Sequence, residues 1–258
     1  MITEIETQCI KDLIKEGKRV DGRKFDEFRD MKIETGYIEN AEGSAMVTLG
    51  RTQVLVGVKM KIGEPFPDTP DEGVLMVNAE LGPLASPEFE SGPPDEQAVE
   101  LARVVDRGVR ESKAINTEKL CVEEGEKVWM VSVDIHIIND YGNLMDAAGA
   151  GAIAALLDAK VPSLDKDGNI DREKTDGELE VNQVPVPCSI YMIDGKMVVD
   201  PDLKESEAAD GFITITSVDG SLCAMQKSGI FSVSPDELYK AIDISVKRGD
   251  EVRKKYFK

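Results

Sequence analysis

The stretch PPDEQAVELARVVDRGVRESK, Pro93–Lys113, decides how the rest of the chain is arranged. Two prolines and Asp95 supply a helix start. Asp95 can cap exposed backbone N–H groups, and Asp95 and Glu96 suit the positive end of the helix dipole. Ala98, Leu101, Ala102, Val105 and Val109 recur at helical spacing and predict one apolar face. Arg103, Arg107 and Arg110 form a second stripe, spread over roughly 10 Å at the helical rise per residue. Spacing alone leaves two explanations open. One is intrahelical pairing of Glu100 with Arg103, Asp106 with Arg103 and Arg110, and Glu111 with Arg107; such exposed pairs are weak. The other is a row of planar forks gripping successive phosphates.

On the N-terminal side of this helix lies a proline-rich loop, Gly82 to Pro94, long enough to be functional. Before it come a strand, VLMVNAEL (Val74–Leu81), and a Pro/Asp-rich loop from Ile62 to Gly73. MKIETGYI, GSAMVTLG and TQVLVGVKM, between Met31 and Met60, alternate like a β-meander. Ile2, Ile5, Cys9, Ile10, Leu13 and Ile14 predict an amphipathic helix that stops at Gly17. RVDGR (Arg19–Arg23) reads as an exposed turn, salt-bridged to its neighbours.

On the C-terminal side, KVWMVSVDIHIIN (Lys127–Asn139) predicts a central strand buried on both faces. Leu144 to Ala159 is a helix of small residues, able to pack close against a sheet. Ser163 to Glu180 reads as a polar surface excursion. VPVPCSIYMI and KMVVD form a hairpin about Asp194–Gly195, and PDLKESEAADG reads as a loop. FITITSV and SLCAMQK pair about Asp219–Gly220, and Ser234–Pro235 opens a last helix running to about Lys255. The order predicts an α+β fold of two related halves, mixed sheets with packed helices.

Composition narrows the classes. The 258 residues are 41% hydrophobic and 31% charged, which describes a soluble globular chain. The formal net charge of −19 repels nucleic acid over most of the surface, so a polyanion site has to be local or completed by a basic partner. Cys9, Cys121, Cys188 and Cys223 form no CxxC pair, and a reduced, cytoplasmic setting is expected. The N-terminus lacks the pattern of a signal peptide, and no apolar run approaches a membrane span. His136 is the one histidine and is expected to be structural, which excludes a serine–histidine triad and a histidine-ligated zinc site. No Walker A or dinucleotide glycine pattern is present. Asp165, Asp167 and Asp171 are spaced loosely like a calcium loop, but Asp176 stands where the terminal glutamate is required.

Taken in order, RVDGR, AEGSAMVTLGRTQVLVGVK (Ala41–Lys59), PDTPDEG (Pro67–Gly73), NAELGPLASPEFESGPPDE (Asn78–Glu96), ELARVVDRGVRESKA (Glu100–Ala114), EEGEKVWMVSVDIHIIND (Glu123–Asp140) and AMQKSG (Ala224–Gly229) resemble the RNase PH family. The resemblance spans nearly the whole chain and implies a single RNase-PH-type domain over 1–258, with an N-terminal helical extension at about 1–17. It implies the scaffold of a phosphorolytic 3′-to-5′ exoribonuclease, in which inorganic phosphate attacks the terminal phosphodiester. Active members seat that phosphate on a glycine-serine-arginine turn and place an aspartate pair near it. Here the turn falls on Gly142, Asn143, Leu144 and Met145. Asp210 matches the second aspartate, and Lys204 takes the position of the first. Standing alone, Asp210 is expected to cap a turn.

More narrowly, the chain is similar to the ring subunit of the archaeal exosome that carries no active site of its own. No catalytic residue, metal or cofactor is then expected in it. The implied partners are a catalytic RNase-PH-type subunit (three heterodimers closing a ring), RNA-binding cap proteins and single-stranded RNA. Arg103 and Arg107 match the family's RNA-facing arginines and Arg110 extends them. Two alternatives are an active phosphorolytic nuclease using Asp210, and a plain scaffold whose arginines are ion-paired.

Overall fold

Helix α1 (Glu4–Lys15) opens the chain, and a capping box starts it: Thr3 accepts from the Glu6 N–H while the Glu6 carboxylate accepts from the Thr3 N–H. The computed structural model describes residues 2–165 and 168–257. The apolar face of α1 is narrower than its sequence predicts. Ile10 and Ile14 bury against Ile193, Val198 and Ala208, whereas Ile5 and Cys9 face solvent.

The first sheet follows. Strands β1 (Met31–Thr35), β2 (Gly43–Leu49) and β3 (Thr52–Gly63) form the expected antiparallel meander. Strand β4 (Val74–Leu81) does not join β3. Helix α2 (Glu96–Glu111), a short 3-10 turn and β5 (Cys121–Glu123) intervene, and β6 (Lys127–Asn139) then inserts between β3 and β4. β6 pairs antiparallel with β3 and parallel with β4, giving the order β1-β2-β3-β6-β4, with β5 paired to β6 near its start. β6 is central, as its apolar run predicts, but not buried on both faces. Val131, Val133, Ile135 and Ile137 point into the core, while Ser132, Asp134 and His136 line a half-exposed face. His136 Nδ1 lies 3.2 Å from Glu80 Oε2 on that face.

Helix α3 (Leu144–Asp158) leads to β7 (Lys160–Leu164) and β8 (Ile170–Glu178), which pair antiparallel. The expected surface excursion is therefore a hairpin, with Val161, Leu164 and Ile170 packed on the main core beneath a charged outer face. Asp165 sits in its turn and accepts from the Asn169 N–H; Asp167 lies outside the described residues. The second sheet has the order β10-β9-β11-β12, from β9 (Val186–Ile193), β10 (Lys196–Val199), β11 (Gly211–Val218) and β12 (Ser221–Gly229). Between β10 and β11, the segment expected as a loop carries α4 (Leu203–Ala208), started by an Asp202–Glu205 capping box. Helix α5 (Pro235–Tyr256) closes the chain from a Ser234 cap.

The layers run sheet, helices, sheet, helix. α2 packs on β4 and β12, α3 packs on β2, β3 and β9, and α5 covers β9 and β11 from the far side. Small residues let α3 fit between the sheets. A Cβ on Gly151 would come within 2.7 Å of Val56 Cγ2, and one on Gly149 within 2.4 Å of Pro187 Cγ. Those contacts lie on opposite faces of the helix, so the alanine- and glycine-rich run reflects burial on both sides. Among the described residues, no helix is long and apolar enough to cross a membrane.

Candidate nucleic-acid interface and the turn beside it

The turn from Asp140 to Met145 joins β6 to α3 and is bolted from behind. Arg29 donates to the carbonyls of Tyr141 (2.8 Å) and Gly142 (3.0 Å), and Thr52 Oγ1 donates to Gly142 (2.7 Å). Gly142 has φ +84, and a Cβ there would meet the Asp202 backbone at 2.6 Å, so no other residue fits without movement. Asn143 follows in the left-handed region, φ 57, and its Nδ2 donates to Asp146 (2.9 Å) and Asp200 (2.8 Å). Asp200 is fully buried and is also paired with Arg29 Nη2 at 2.7 Å. Asp146, on the first turn of α3, accepts from the Ser189 N–H (3.1 Å) and Oγ (2.8 Å). Burial pushes its carboxyl up to about 7 despite those bonds.

The front of the turn is apolar. Leu144 and Met145 are almost wholly buried and join the main core. They border a cavity of about 490 Å³ whose wall also carries Glu88, Glu100, Asp140, Glu207 and Asp210, and among the described residues that line it there is no lysine or arginine. Burial raises the Asp140 carboxyl although the Gly142 N–H donates to it. Asp210 does not cap a turn as expected; its Oδ1 lies 3.2 Å from Lys11 Nζ on α1. Lys204 turns away to Glu6, at 2.8 Å.

RVDGR forms the expected exposed turn at Val20–Gly22, with Arg23 Nε bonded to Asp21 Oδ2 at 2.7 Å, but its first arginine is buried. Arg19 is 4% exposed, and its guanidinium holds Glu205 through Nε (3.1 Å) and Nη2 (2.6 Å) while also donating to the carbonyls of Val199 and Asp200. Arg23 adds a bond to Asp200 Oδ2 at 3.2 Å. These residues tie the entry segment to α4 and the second sheet.

The arginine helix forms as predicted. Asp95 accepts from the Ala98 N–H at 2.8 Å, and Ala98, Leu101, Ala102, Val105 and Val109 are all buried. The stripe itself divides. Arg110 is held by Asp106 through two bonds, at 2.7 and 3.2 Å, and donates to the Leu75 carbonyl at 3.1 Å. Arg110 is thereby paired with a carboxylate of its own helix. Arg107 Nη1 donates to Gln226 Oε1 of β12 at 3.2 Å. Arg103 is exposed and, among the described residues, has neither an ion pair nor a hydrogen bond. Glu100, expected beside Arg103, accepts instead from Ser228 Oγ at 3.4 Å.

Two family models match the chain: 3′ exoribonuclease family, domain 1, over residues 27–162, and domain 2 over residues 183–248. The chain belongs to the RNase PH family. RNase PH chains similar to it include the exosome complex component Rrp42 of Methanocella arvoryzae, 51% identical over 99% of this chain and 96% of that one. The Rrp42 component of Thermococcus kodakarensis is 48% identical over 100% of this chain and 96% of its own length. Among solved structures, a chain of the Archaeoglobus fulgidus exosome with RNA bound to the active site superposes with a TM-score of 0.93, at 48% identity over 98% of each chain. A chain of an archaeal exosome core superposes at 0.89, with 44% identity over 99% of this chain and 97% of the other. The α+β architecture expected from the RNase PH motifs is the one the chain adopts.

Proposed function

We propose that this chain is the RNase-PH-type ring subunit of an archaeal exosome that has no active site of its own. The observation that carries the reading is the cleft beside α3. Where the family seats the attacking phosphate, Leu144 and Met145 stand in front and carboxylates line the wall. Phosphorolysis needs charge neutralisation there, and these side chains supply none. The chain instead pairs with a catalytic RNase-PH-type subunit, three such heterodimers close the ring, and RNA-binding cap proteins sit on it in the cytoplasm. Its share of 3′-to-5′ RNA degradation is to shape the neighbour's active site and to hold single-stranded RNA by its phosphates. Arg103 and Arg107 carry that contact, since among the described residues no carboxylate neutralises their charge. Arg110 is tied to Asp106 and contributes to the helix more than to RNA.

The test uses the chain alone and then with its catalytic partner, on uniformly labelled single-stranded RNA with inorganic phosphate and magnesium. Nucleoside diphosphates are expected only with the partner present; phosphate-dependent product from the chain alone would refute the silent-subunit reading. In the assembled ring, the double change Arg103→Glu, Arg107→Glu is expected to lower RNA affinity about tenfold or more and to leave ring size unchanged. Unchanged affinity at low and moderate salt would remove the arginines from the RNA path.

A further inference from the structure

The seam between α2 and β12 starts at the edge of the cleft and carries side-chain contacts along its length. β12 runs along α2 in the opposite sense. Ser228 Oγ reaches Glu100, Gln226 Oε1 accepts from Arg107, and Cys223 Sγ lies 3.9 Å from the Gly108 carbonyl. A Cβ on Gly108 would stand 3.3 Å from Thr216 Cγ2 of the neighbouring strand β11. Gln226 and Ser228 belong to AMQKSG, a motif of the resemblance that has had no role so far.

The arginines of the stripe stand in different electrostatic states. Arg110 is neutralised by a carboxylate. Arg103 is charged and unrestrained. Arg107 is held by an amide, which fixes the guanidinium and leaves its full charge. A guanidinium presents five donors in one plane, so the bond to Gln226 leaves most of the fork available. Ordering a long side chain on binding costs affinity, and holding it beforehand removes part of that cost.

We propose that Gln226 is a positioning residue for Arg107, ordering its guanidinium in advance to receive an RNA phosphate without cancelling its charge. The proposal rests on the reading of the arginine stripe as an RNA contact. It predicts that side-chain size and side-chain charge at position 226 act differently. A glutamate would fix the guanidinium and neutralise it; an alanine would release it and leave it charged.

The experiment uses the ring assembled with its catalytic partner and a single-stranded oligoribonucleotide, with KM and kcat for phosphorolysis measured across a salt series. Gln226→Glu is expected to raise KM about tenfold or more, the scale of one charge-assisted contact, with kcat at saturating RNA unchanged. Its log KM should also depend less steeply on log salt, by about 0.7, the share of one single-strand phosphate. Gln226→Ala is expected to raise KM about two- to threefold with the salt slope unchanged. In a ring carrying Arg107→Ala, neither change should shift KM further. If Arg107→Ala raises KM but Gln226→Glu alters neither KM nor salt slope, the positioning role is overturned and the stripe stands. Equal effects of the position-226 changes with and without Arg107 would also overturn it. If Arg107→Ala itself leaves KM unchanged, the stripe reading fails and takes this proposal with it.

Discussion

Asp146 is a carboxylic acid whose chemistry departs far from its ordinary state. Its carboxyl is raised from 3.8 to about 7 by burial, so the folded chain binds a proton that the unfolded chain has released. Over that window the native state holds more protons than the unfolded state, and stability therefore falls as pH rises, by up to about 1.4 kcal/mol per pH unit. Asp146→Asn is expected to flatten this part of the profile relative to the unaltered chain, whatever it does to absolute stability. Urea unfolding at intervals from about pH 4 to pH 7.5 measures it; equal slopes for the two proteins would mean that Asp146 is ionised in the fold. Nothing in the local sequence singles out this aspartate, because two of its three donors come from Ser189 on the second sheet. Arg19 gives the same lesson. RVDGR has the composition of an exposed turn, and the burial of Arg19 at its start is set by Glu205, 186 residues away in the sequence. The departure of Asn143, Leu144 and Met145 from the glycine-serine-arginine pattern was legible, since it is a local statement. The network that keeps that turn rigid was not.

At the scale of elements, legibility followed periodicity. The apolar face of α2 and the alternation of β2 and β3 are written in neighbouring residues, and both are found as read. The β7–β8 hairpin was hidden because IDREKTDGE carries so little apolar signal that alternation cannot show. Helix α4 was hidden because six residues are too few for a period, and only its Asp202–Glu205 capping box announced it. Helix α3 makes a sharper point. Its glycines mark where each sheet comes closest, Gly151 toward Val56 and Gly149 toward Pro187. Gly151→Leu is therefore expected to destabilise the chain by about 1–3 kcal/mol through overpacking, outweighing any gain in helix propensity. Chemical unfolding measures this, and a neutral or stabilising result would show that the first sheet can retreat from α3.

For the whole molecule, the question is whether the two matched segments behave as one unit. α3 lies in the first segment yet packs on both sheets, and Arg29 of the first segment is locked to Asp200 of the second. We expect one cooperative transition for the isolated chain. Fluorescence of Trp129, buried in β6, reports the first sheet, and far-ultraviolet circular dichroism reports the whole chain. The two curves should coincide, and separated midpoints would divide the chain into independent halves. The insertion of β6 between β3 and β4 has a consequence of another kind, in the order of synthesis. As the chain leaves the ribosome, β3 and β4 emerge well before the strand that joins them, so each spends that interval with an open hydrogen-bonding edge. Such edges invite pairing with other nascent chains. Translation speed through Lys127–Asn139, and chaperone capture of chains that end before it, should govern how much of this subunit reaches a native state at all.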